Sequence, residues 1–230
     1  RLLGTLEHPC IPPVHLLGRD AEGQPALVMK RISGTEFRRL LRDETHPGWE
    51  HLPRNRLGWK LDVYLKICNA VAYAHSKGYI HRDIKAENIM IGDFGEVYLL
   101  DWGVAVALDE NDEFYAARFA GTPAFAAPEM FQEGAPLTVQ TDVYLLGSLL
   151  HEILTGKVRH ETDSIPDAVA SALMSSPFVY PRSVPKELGE ICNAATSLDP
   201  GDRFPTVRVL METVRFSLKN RVGFSLVRTA

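Results

Sequence analysis

The residues with the clearest chemical potential lie in one short stretch near the middle of the chain, residues 81–88 (HRDIKAEN), and in a second stretch soon after it, residues 101–103 (DWG). Asp83, Asn88 and Asp101 carry oxygen atoms that suit a hard cation such as Mg²⁺, which takes few ligands from the protein itself. These residue types at this spacing predict a site for a divalent cation.

Lys85 adds a positive charge to this cluster, where the charge of a phosphate group could be neutralised. Each residue alone has a simpler explanation, because a single His-Arg-Asp sequence more often forms a salt-bridge cluster on the surface. The joint pattern is more specific. Five fixed residues at fixed spacing arise by chance at a frequency on the order of 1 in 10,000 or less in a chain of this length. The combination therefore favours a functional site.

The composition is that of an ordinary soluble globular protein. The chain has 230 residues, 45% of them hydrophobic and 23% charged, which is enough to build a large core. A net charge of −4 without a lysine/arginine cluster predicts no nucleic-acid partner. Cys10, Cys68 and Cys192 are isolated, which predicts reduced thiols in a cytoplasmic protein. No apolar stretch approaches the ~20 residues that span a bilayer, and no signal peptide is expected.

Hydrophobic periodicity predicts a small sheet followed by a mainly helical body. The predicted strands are residues 11–17 and 26–29, which form a hairpin, then 79–80, 89–91 and 97–100, with a turn at residues 92–95. Residues 43–60 are rich in glycine, proline and charge, which predicts an exposed connection. The predicted helices are residues 35–41, 61–75 with Gly78 beyond the end, 141–156, 165–174, 186–198 and 206–218.

The helix predicted from residue 141 to Gly156 is apolar around nearly its whole circumference. Such a helix belongs in the middle of a domain or in a membrane. This one is too short to span a bilayer and carries His151 and Glu152, so we expect a central buried helix. The elements together predict an α+β fold, with one complete lobe and part of another.

Five segments, in chain order, carry a resemblance to a known family: residues 81–88, 101–103, 121–129, 142–147 and 199–204. In that order they resemble the catalytic loop of the protein kinases, their magnesium-binding triplet and the segment ending in Ala-Pro-Glu that closes the activation loop. The fourth resembles the start of the family's buried central helix. The last resembles the motif whose arginine, here Arg203, pairs with the Ala-Pro-Glu glutamate, here Glu129. The chain is therefore identified as a member of the eukaryotic-type (Hanks-type) serine/threonine protein kinases. Its basic, helical tail from Arg215 to Ala230 resembles the run-on found in multidomain bacterial kinases, which implies a bacterial member of the family.

The resemblance implies a role for each residue of the site. Asp83 would accept or orient the proton of the substrate hydroxyl, and Lys85 would steady the transferring phosphoryl group. Asn88 and Asp101 would hold Mg²⁺, or Mn²⁺ in its place, against the phosphates of ATP. A lysine two places after the aspartate, together with Thr122, resembles the serine/threonine class. Structural or regulatory roles are implied for His81, Arg82, Trp102, Gly103, Thr122, Glu129, Asp142 and Arg203.

The resemblance also implies a nucleotide site. Met29 to Ile32 resembles the hinge between the lobes, so the backbone near Lys30 and Ile32 is expected to meet the adenine edge of ATP. Glu36 is expected at the ribose and Met90 at the floor of the adenine pocket. Simple core filling is the alternative for the two methionines. The expected partners are ATP and a protein substrate with a serine or threonine, and the oligomeric state is left open.

The chain departs from the family in lacking a glycine-rich loop and the strand lysine that contacts the phosphates. In protein kinases that lysine must pair with a glutamate for activity. This chain is therefore expected to be an N-terminally truncated copy that is inactive or weakly active, whereas the parent protein is expected to be an active kinase. The expected layout is a partial N-lobe at residues 1–32 (end of the regulatory helix, two strands and hinge), a kinase C-lobe at residues 33–220, and a C-terminal extension at residues 221–230.

The predicted activation segment, between Gly103 and Gly121, contains no serine or threonine but several acidic residues. One hypothesis is that a carboxylate of this segment pairs with Arg82 in place of an activating phosphate. The alternative is a solvated acidic loop. The candidate carboxylates are Asp109, Glu110, Asp112 and Glu113.

Two other functions compete with that of a kinase. A pseudokinase or scaffold would keep the fold and bind partners without efficient catalysis, although the intact catalytic residues favour an active parent. A small-molecule phosphotransferase of the aminoglycoside type shares part of the motif layout. Those enzymes lack the Ala-Pro-Glu segment and its arginine partner, both of which this chain has.

Overall fold

The computed structural model describes residues 6–19 and 22–228. Its strands are β1 (Val14–Arg19), β2 (Pro25–Met29), β3 (Gly34–Glu36), β4 (Tyr79–Ile80), β5 (Ile89–Gly92), β6 (Val97–Leu99), β7 (Val106–Ala107), β8 (Phe114–Tyr115) and β9 (Pro136–Leu137). Its α-helices are α1 (Phe37–Arg42), α2 (Arg56–Ser76), α3 (Val139–Thr155), α4 (Ile165–Met174), α5 (Lys186–Ala195) and α6 (Val207–Arg228). The protein is thus an α+β molecule, with small sheets on a mainly helical body.

Four small antiparallel sheets position the loops of the molecule. Strands β1 and β2 form the predicted hairpin, and β5 lies between β3 and β6 in a three-stranded sheet. The predicted turn joins β5 to β6, and Gly95 has the positive φ of 82° that this turn requires. The pairs β4–β7 and β8–β9 are only two residues long, too short to show a periodic pattern, and the sequence did not predict β7, β8 or β9.

The prediction of a helix at residues 35–41 is wrong at its start. Residues Gly34–Glu36 form strand β3 and pair with β5, and the helix begins only at Phe37. Gly34 explains the difference, because its φ of 148° lies outside the helical region and a Cβ there would collide with the carbonyl oxygen of Ile91. Close pairing of two backbones therefore overrides the local helical pattern.

The first turns of α2 were also missed, because residues 56–60 were predicted as part of an exposed connection. The helix begins at Arg56, and the side chain of Asn55 accepts a hydrogen bond from the backbone N–H of Gly58 (3.1 Å). An asparagine at this position satisfies an N–H group that has no partner within the helix. Beyond the other end, Gly78 has a φ of 76°, as a glycine that terminates a helix requires.

Helix α3 lies at the centre of the helical body, as predicted. Its apolar residues are buried on all sides, and it packs against α2, α5 and α6. Thr138 forms a capping box with Thr141 at the start, and Gly156 ends the helix in a left-handed conformation with φ of 75°. Helix α5 ends at Ala195, three residues before the predicted end.

Helix α6 runs to Arg228, so its backbone is continuous across the expected boundary between the C-lobe, ending at residue 220, and the C-terminal extension, beginning at residue 221. No helix within residues 6–19 and 22–228 combines the length and apolar character needed to cross a membrane.

Candidate active site

The loop of residues 81–88, which resembles the catalytic loop of the protein kinases, is anchored on the first turn of α3. The buried carboxylate of Asp142 accepts hydrogen bonds from the backbone N–H groups of His81 (2.8 Å) and Arg82 (2.9 Å). It also accepts one from Nε2 of His75 at the end of α2 (2.7 Å). Burial alone would raise the pKa of Asp142, but the hydrogen bond from His75 and the nearby charges outweigh it, so the pKa lies below its usual value. An ionised Asp142 therefore fixes the loop to the core of the molecule.

Asp83 lies at the centre of a compact polar network. Its Oδ2 accepts hydrogen bonds from Nζ of Lys85 (2.7 Å) and Nδ2 of Asn88 (3.0 Å). Its Oδ1 accepts one from the hydroxyl of Thr122 (2.7 Å). Nζ of Lys85 also donates to the oxygen of Thr122 (2.6 Å). The structure thus brings together four residues that the sequence analysis singled out, from two segments far apart in the chain.

The electrostatics of the network keep Asp83 ionised. Burial alone would raise its pKa, but the hydrogen bonds from Lys85, Thr122 and Asn88 outweigh burial, and the pKa lies below the usual range. An ionised carboxylate held by three donors can orient a hydroxyl group or accept its proton. A lowered pKa favours orientation over complete proton transfer, because a weaker base takes up less of the proton.

His81 and Trp102 form a packed support beneath the loop. Their rings meet edge to face with centroids 4.5 Å apart, and the indole N–H of Trp102 donates to the carbonyl of Leu99 (3.0 Å). Burial lowers the pKa of His81, so its ring is neutral. Nε2 lies 3.2 Å from the carbonyl oxygen of Leu100, and Nδ1 accepts from the backbone N–H of Asp83 (3.3 Å). A tautomer protonated on Nε2 satisfies both contacts.

Asn88 and Asp101 offer the oxygen ligands that a magnesium ion requires. The amide nitrogen of Asn88 donates to the carbonyl and the carboxylate of Asp83, which orients the amide and leaves its oxygen for a cation. Asp101 is exposed, with a strained positive φ of 54°, and accepts from the backbone N–H of Gly103 (3.3 Å). Magnesium is usually bound by one or two carboxylates together with phosphates and water, and this pair of side chains fits that pattern. The described residues contain no cluster of three or more histidine, cysteine or acidic side chains that could hold a metal.

The residues expected around the nucleotide lie at the end of β2, just after it, and on the paired strands β3 and β5. Met29 ends β2 with a partly exposed side chain, and Ile32 follows in the connection to β3, half-buried. Glu36 and Met90 are paired across β3 and β5, so the expected ribose and adenine contacts are neighbours. Lys30 uses its backbone N–H in a bond to the carbonyl of Pro13 (3.1 Å), which leaves its carbonyl for a ligand. The side chain of Lys30 donates to the hydroxyl of Tyr98 (2.8 Å).

Arg82 does not pair with the acidic residues of the activation segment. Its Nε donates to the carbonyl of Val104 (2.6 Å), and its guanidinium lies over the ring of Phe114, 5.0 Å from the centroid. Asp109 instead accepts hydrogen bonds from backbone N–H groups of its own turn, including that of Glu113 (3.0 Å). The hypothesis that a carboxylate of this segment binds Arg82 is wrong for this structure.

The end of the activation segment is joined to the late motif by a buried ion pair. Arg203 donates through both terminal nitrogens to the carboxylate of Glu129, at 2.7 and 2.8 Å. The same guanidinium lies over the ring of Tyr144 in α3 and donates to the carbonyls of Ser197 and Leu198. This bidentate geometry is that of a strong charge-assisted pair, so it holds the segment after Thr122 against the helical body.

A second charged cluster beside the catalytic loop was not foreseen. Arg38 of α1 forms an ion pair with Glu87 of the loop, and its Nε lies 3.8 Å from the carboxylate of Glu152 in α3. Glu152 is fully buried and both its oxygens lack hydrogen bonds. Burial raises its pKa to about 7. The available signal was a glutamate, next to His151, in a helix whose apolar residues cover nearly its whole circumference.

The comparisons with known proteins agree with this geometry. The model of the protein kinase domain family matches residues 2–214, so the chain belongs to that family. Serine/threonine-protein kinase PknD of Protochlamydia amoebophila is 32% identical over 96% of this chain and 25% of its own length. The protein of the same name from Chlamydia trachomatis serovar D is 30% identical over 94% of this chain and 26% of its own length. The chain therefore spans about a quarter of the length of these curated relatives.

Proposed function

We propose that this chain carries the catalytic residues of an ATP-dependent protein kinase, which transfers the γ-phosphoryl group of ATP to a serine or threonine hydroxyl of a protein. The observation that carries the proposal is the network in which Lys85, Asn88 and Thr122 hold the ionised, largely buried carboxylate of Asp83. The curated relatives, which are named serine/threonine-protein kinases, support the same activity.

In this reaction the substrate hydroxyl oxygen forms a bond to the γ-phosphorus, and the bond from that phosphorus to the bridging oxygen breaks. ADP leaves with the electron pair. Asp83 first orients the hydroxyl, and it accepts the proton only late in the transfer, once the new bond to phosphorus has made that hydroxyl acidic. Lys85, 2.7 Å from Asp83, lies close enough to neutralise charge on the transferring group. A bound Mg²⁺, held by Asn88 and Asp101, would supply charge neutralisation at the phosphates.

The nucleotide site rests on the same proposal. The carbonyl of Lys30 and the backbone of Ile32 would bind the adenine edge, Glu36 would contact the ribose, and Met29 and Met90 would pack on the base. The register between Glu36 and Met90 supports this arrangement, since it places a carboxylate and an apolar side chain next to each other along the same sheet.

The proposal is tested with the full-length gene product, γ-labelled ATP, Mg²⁺ and a generic basic protein. We expect label on serine or threonine with the wild type and with Asp93→Asn, and loss of the label with Asp83→Asn. Asp93 is a matched control because it is an exposed aspartate in the turn after β5, outside the network. A folded wild type that binds Mg–ATP but transfers no label would identify a pseudokinase instead.

A further inference from the structure

Arg82 is a nearly buried cation in an unusual setting. Only 7% of its surface is exposed, its backbone has a strained φ of 68°, and none of the ion pairs among the described residues involves its side chain. The charge instead meets the carbonyl of Val104 (2.6 Å) and the face of Phe114. A cation over an aromatic face is attracted by the negative charge of the ring face, and more strongly where water is excluded.

Phe114 is held in place independently of Arg82. It lies in β8, where its backbone pairs with Leu137 of β9, and its half-buried ring packs against the hydrophobic core. Arg82 is likewise fixed through its backbone, which donates to Asp142. The contact between the two side chains therefore joins two separately anchored parts of the molecule, the catalytic loop and the activation segment.

The carboxylates of this segment do not pair with Arg82 in the structure, and the segment has few side chains that could carry a phosphate to neutralise it. Between Gly103 and Gly121 there is no serine or threonine, and Tyr115 carries the only side-chain hydroxyl. Tyr115 is exposed and its hydroxyl donates to Glu113 (2.7 Å), so this hydroxyl is bonded to Glu113 and not to Arg82. The segment therefore has no serine or threonine that could carry a phosphate to Arg82. The aromatic face of Phe114 contacts the guanidinium instead.

We infer that Phe114 is a positioning residue, whose ring holds the guanidinium of Arg82. Arg82 in turn fixes Val104 and the adjoining residues 101–103. Through this contact the activation segment is ordered without phosphorylation. The inference rests on the proposed kinase function for its activity readout. Arg82 connects the two parts of the site. It directly precedes Asp83 in the chain, and its side chain binds Val104, which follows residues 101–103 (Asp-Trp-Gly). The ring therefore acts on the relative position of the catalytic aspartate and Asp101.

The first test compares two substitutions in the full-length protein, Phe114→Tyr and Phe114→Leu. Tyrosine keeps the aromatic face, whereas leucine keeps apolar packing and the β8–β9 pairing but removes the face. We expect kcat to fall about 10-fold for Phe114→Leu and to stay within about 2-fold of the wild type for Phe114→Tyr, with unchanged thermal midpoints for both. Equal kcat values for the leucine and tyrosine variants would show that Phe114 only packs, and the inference would fail.

The second test addresses phosphorylation. Treatment of the purified protein with a nonspecific phosphatase should leave kcat within about 2-fold of the untreated value, because no phosphate on the segment is needed. Tyr115→Phe removes the segment's one side-chain hydroxyl and should also leave kcat unchanged. A large loss of activity after phosphatase treatment, or in Tyr115→Phe, would contradict the inference.

Amide hydrogen exchange separates this inference from the proposed function. Residues 104–120 should exchange faster in Phe114→Leu than in the wild type and in Phe114→Tyr, whether or not the protein turns over ATP. If the wild type transfers no phosphate but this difference is seen, the proposed function fails and the positioning contact stands. If all three proteins show the same exchange, the positioning contact fails by itself.

Discussion

At the scale of single residues, the hydroxyl of Thr122 is expected to hold the active site in place, because it contacts both Asp83 and Lys85. Thr122→Val keeps the shape of the side chain and removes the hydroxyl, so Asp83 loses one donor and Lys85 one acceptor. We expect kcat to fall about 10-fold, since a hydrogen bond to a charged group is lost while the nucleotide site is untouched. Steady-state kinetics at saturating ATP would measure the change.

Thr122→Ser is the matched control, because it keeps the hydroxyl. We expect its kcat to remain within about 3-fold of the wild type. If valine and serine gave the same kcat, the hydroxyl would have no part in holding the catalytic aspartate, and the network would be a packing contact only.

The sequence could predict the residues of the network but not all of their neighbours. Asp83, Lys85 and Asn88 stand within six positions of each other, so a short motif reveals them. The pairing of Arg82 with Phe114 depends on where β8 and β9 meet, and no local pattern encodes that meeting. The acidic residues of the segment suggested a charge pair, which was wrong because a turn of the chain uses Asp109 internally.

At the scale of elements, breaking the ion pair between the activation segment and the late motif should destabilise the helical body, because it leaves a buried charge without its partner. Glu129→Gln removes one charge of the buried pair and leaves Arg203 without an ionised partner. Removal of one member of a buried ion pair typically costs about 3–5 kcal/mol, so we expect a fall of that size in the free energy of unfolding. Urea denaturation followed by circular dichroism would measure it.

The control for this prediction is Glu161→Gln, which breaks an exposed pair with Lys157. Because water already surrounds both groups, we expect no measurable change in the unfolding midpoint. Similar losses for the two variants would mean that the Glu129–Arg203 pair is not the fixed point that its bidentate geometry indicates.

The elements themselves were predictable where their pattern was long. Apolar residues cover nearly the whole circumference of helix α3, and this pattern, with its short length and its polar residues His151 and Glu152, placed it at the centre of the molecule. Short elements were harder, because their conformation is decided by distant partners. Gly34 and Thr35 enter a strand through pairing with β5. Asn55 caps α2, which begins at Arg56, five residues before its apolar pattern becomes regular.

At the scale of the whole molecule, buried ionisable groups set the pH dependence of stability. Burial raises the pKa of Glu152 to about 7, so the folded protein holds this proton more tightly than the unfolded chain, whose carboxyl titrates near 4.5. The contribution of Glu152 to the free energy of unfolding is therefore lost as pH rises from about 4.5 to about 7. Burial lowers the pKa of His151 to about 4 and of His160 to about 3, so their contribution is lost as pH falls below about 6.5.

Glu152→Gln isolates the carboxyl part of this dependence. The wild type should lose about 2–3 kcal/mol of unfolding free energy relative to the variant between pH 5 and pH 8, because the variant has no proton to release there. The histidine contributions are common to both proteins and cancel in the difference. Urea unfolding of both proteins at the two pH values would give this number, and a constant difference would show that Glu152 is not a buried neutral acid at pH 5.

The most direct test of the whole account separates binding from chemistry at Asp83. In the full-length protein, the Kd for Mg–ATP and the single-turnover rate of transfer to a peptide hydroxyl would be measured for the wild type and Asp83→Asn. We predict a Kd within about 3-fold of the wild type and a transfer rate about 10²–10⁴-fold lower, because Asp83 acts on the proton and not on nucleotide binding. An Asp83→Asn protein that transfers phosphate at the wild-type rate would contradict the account.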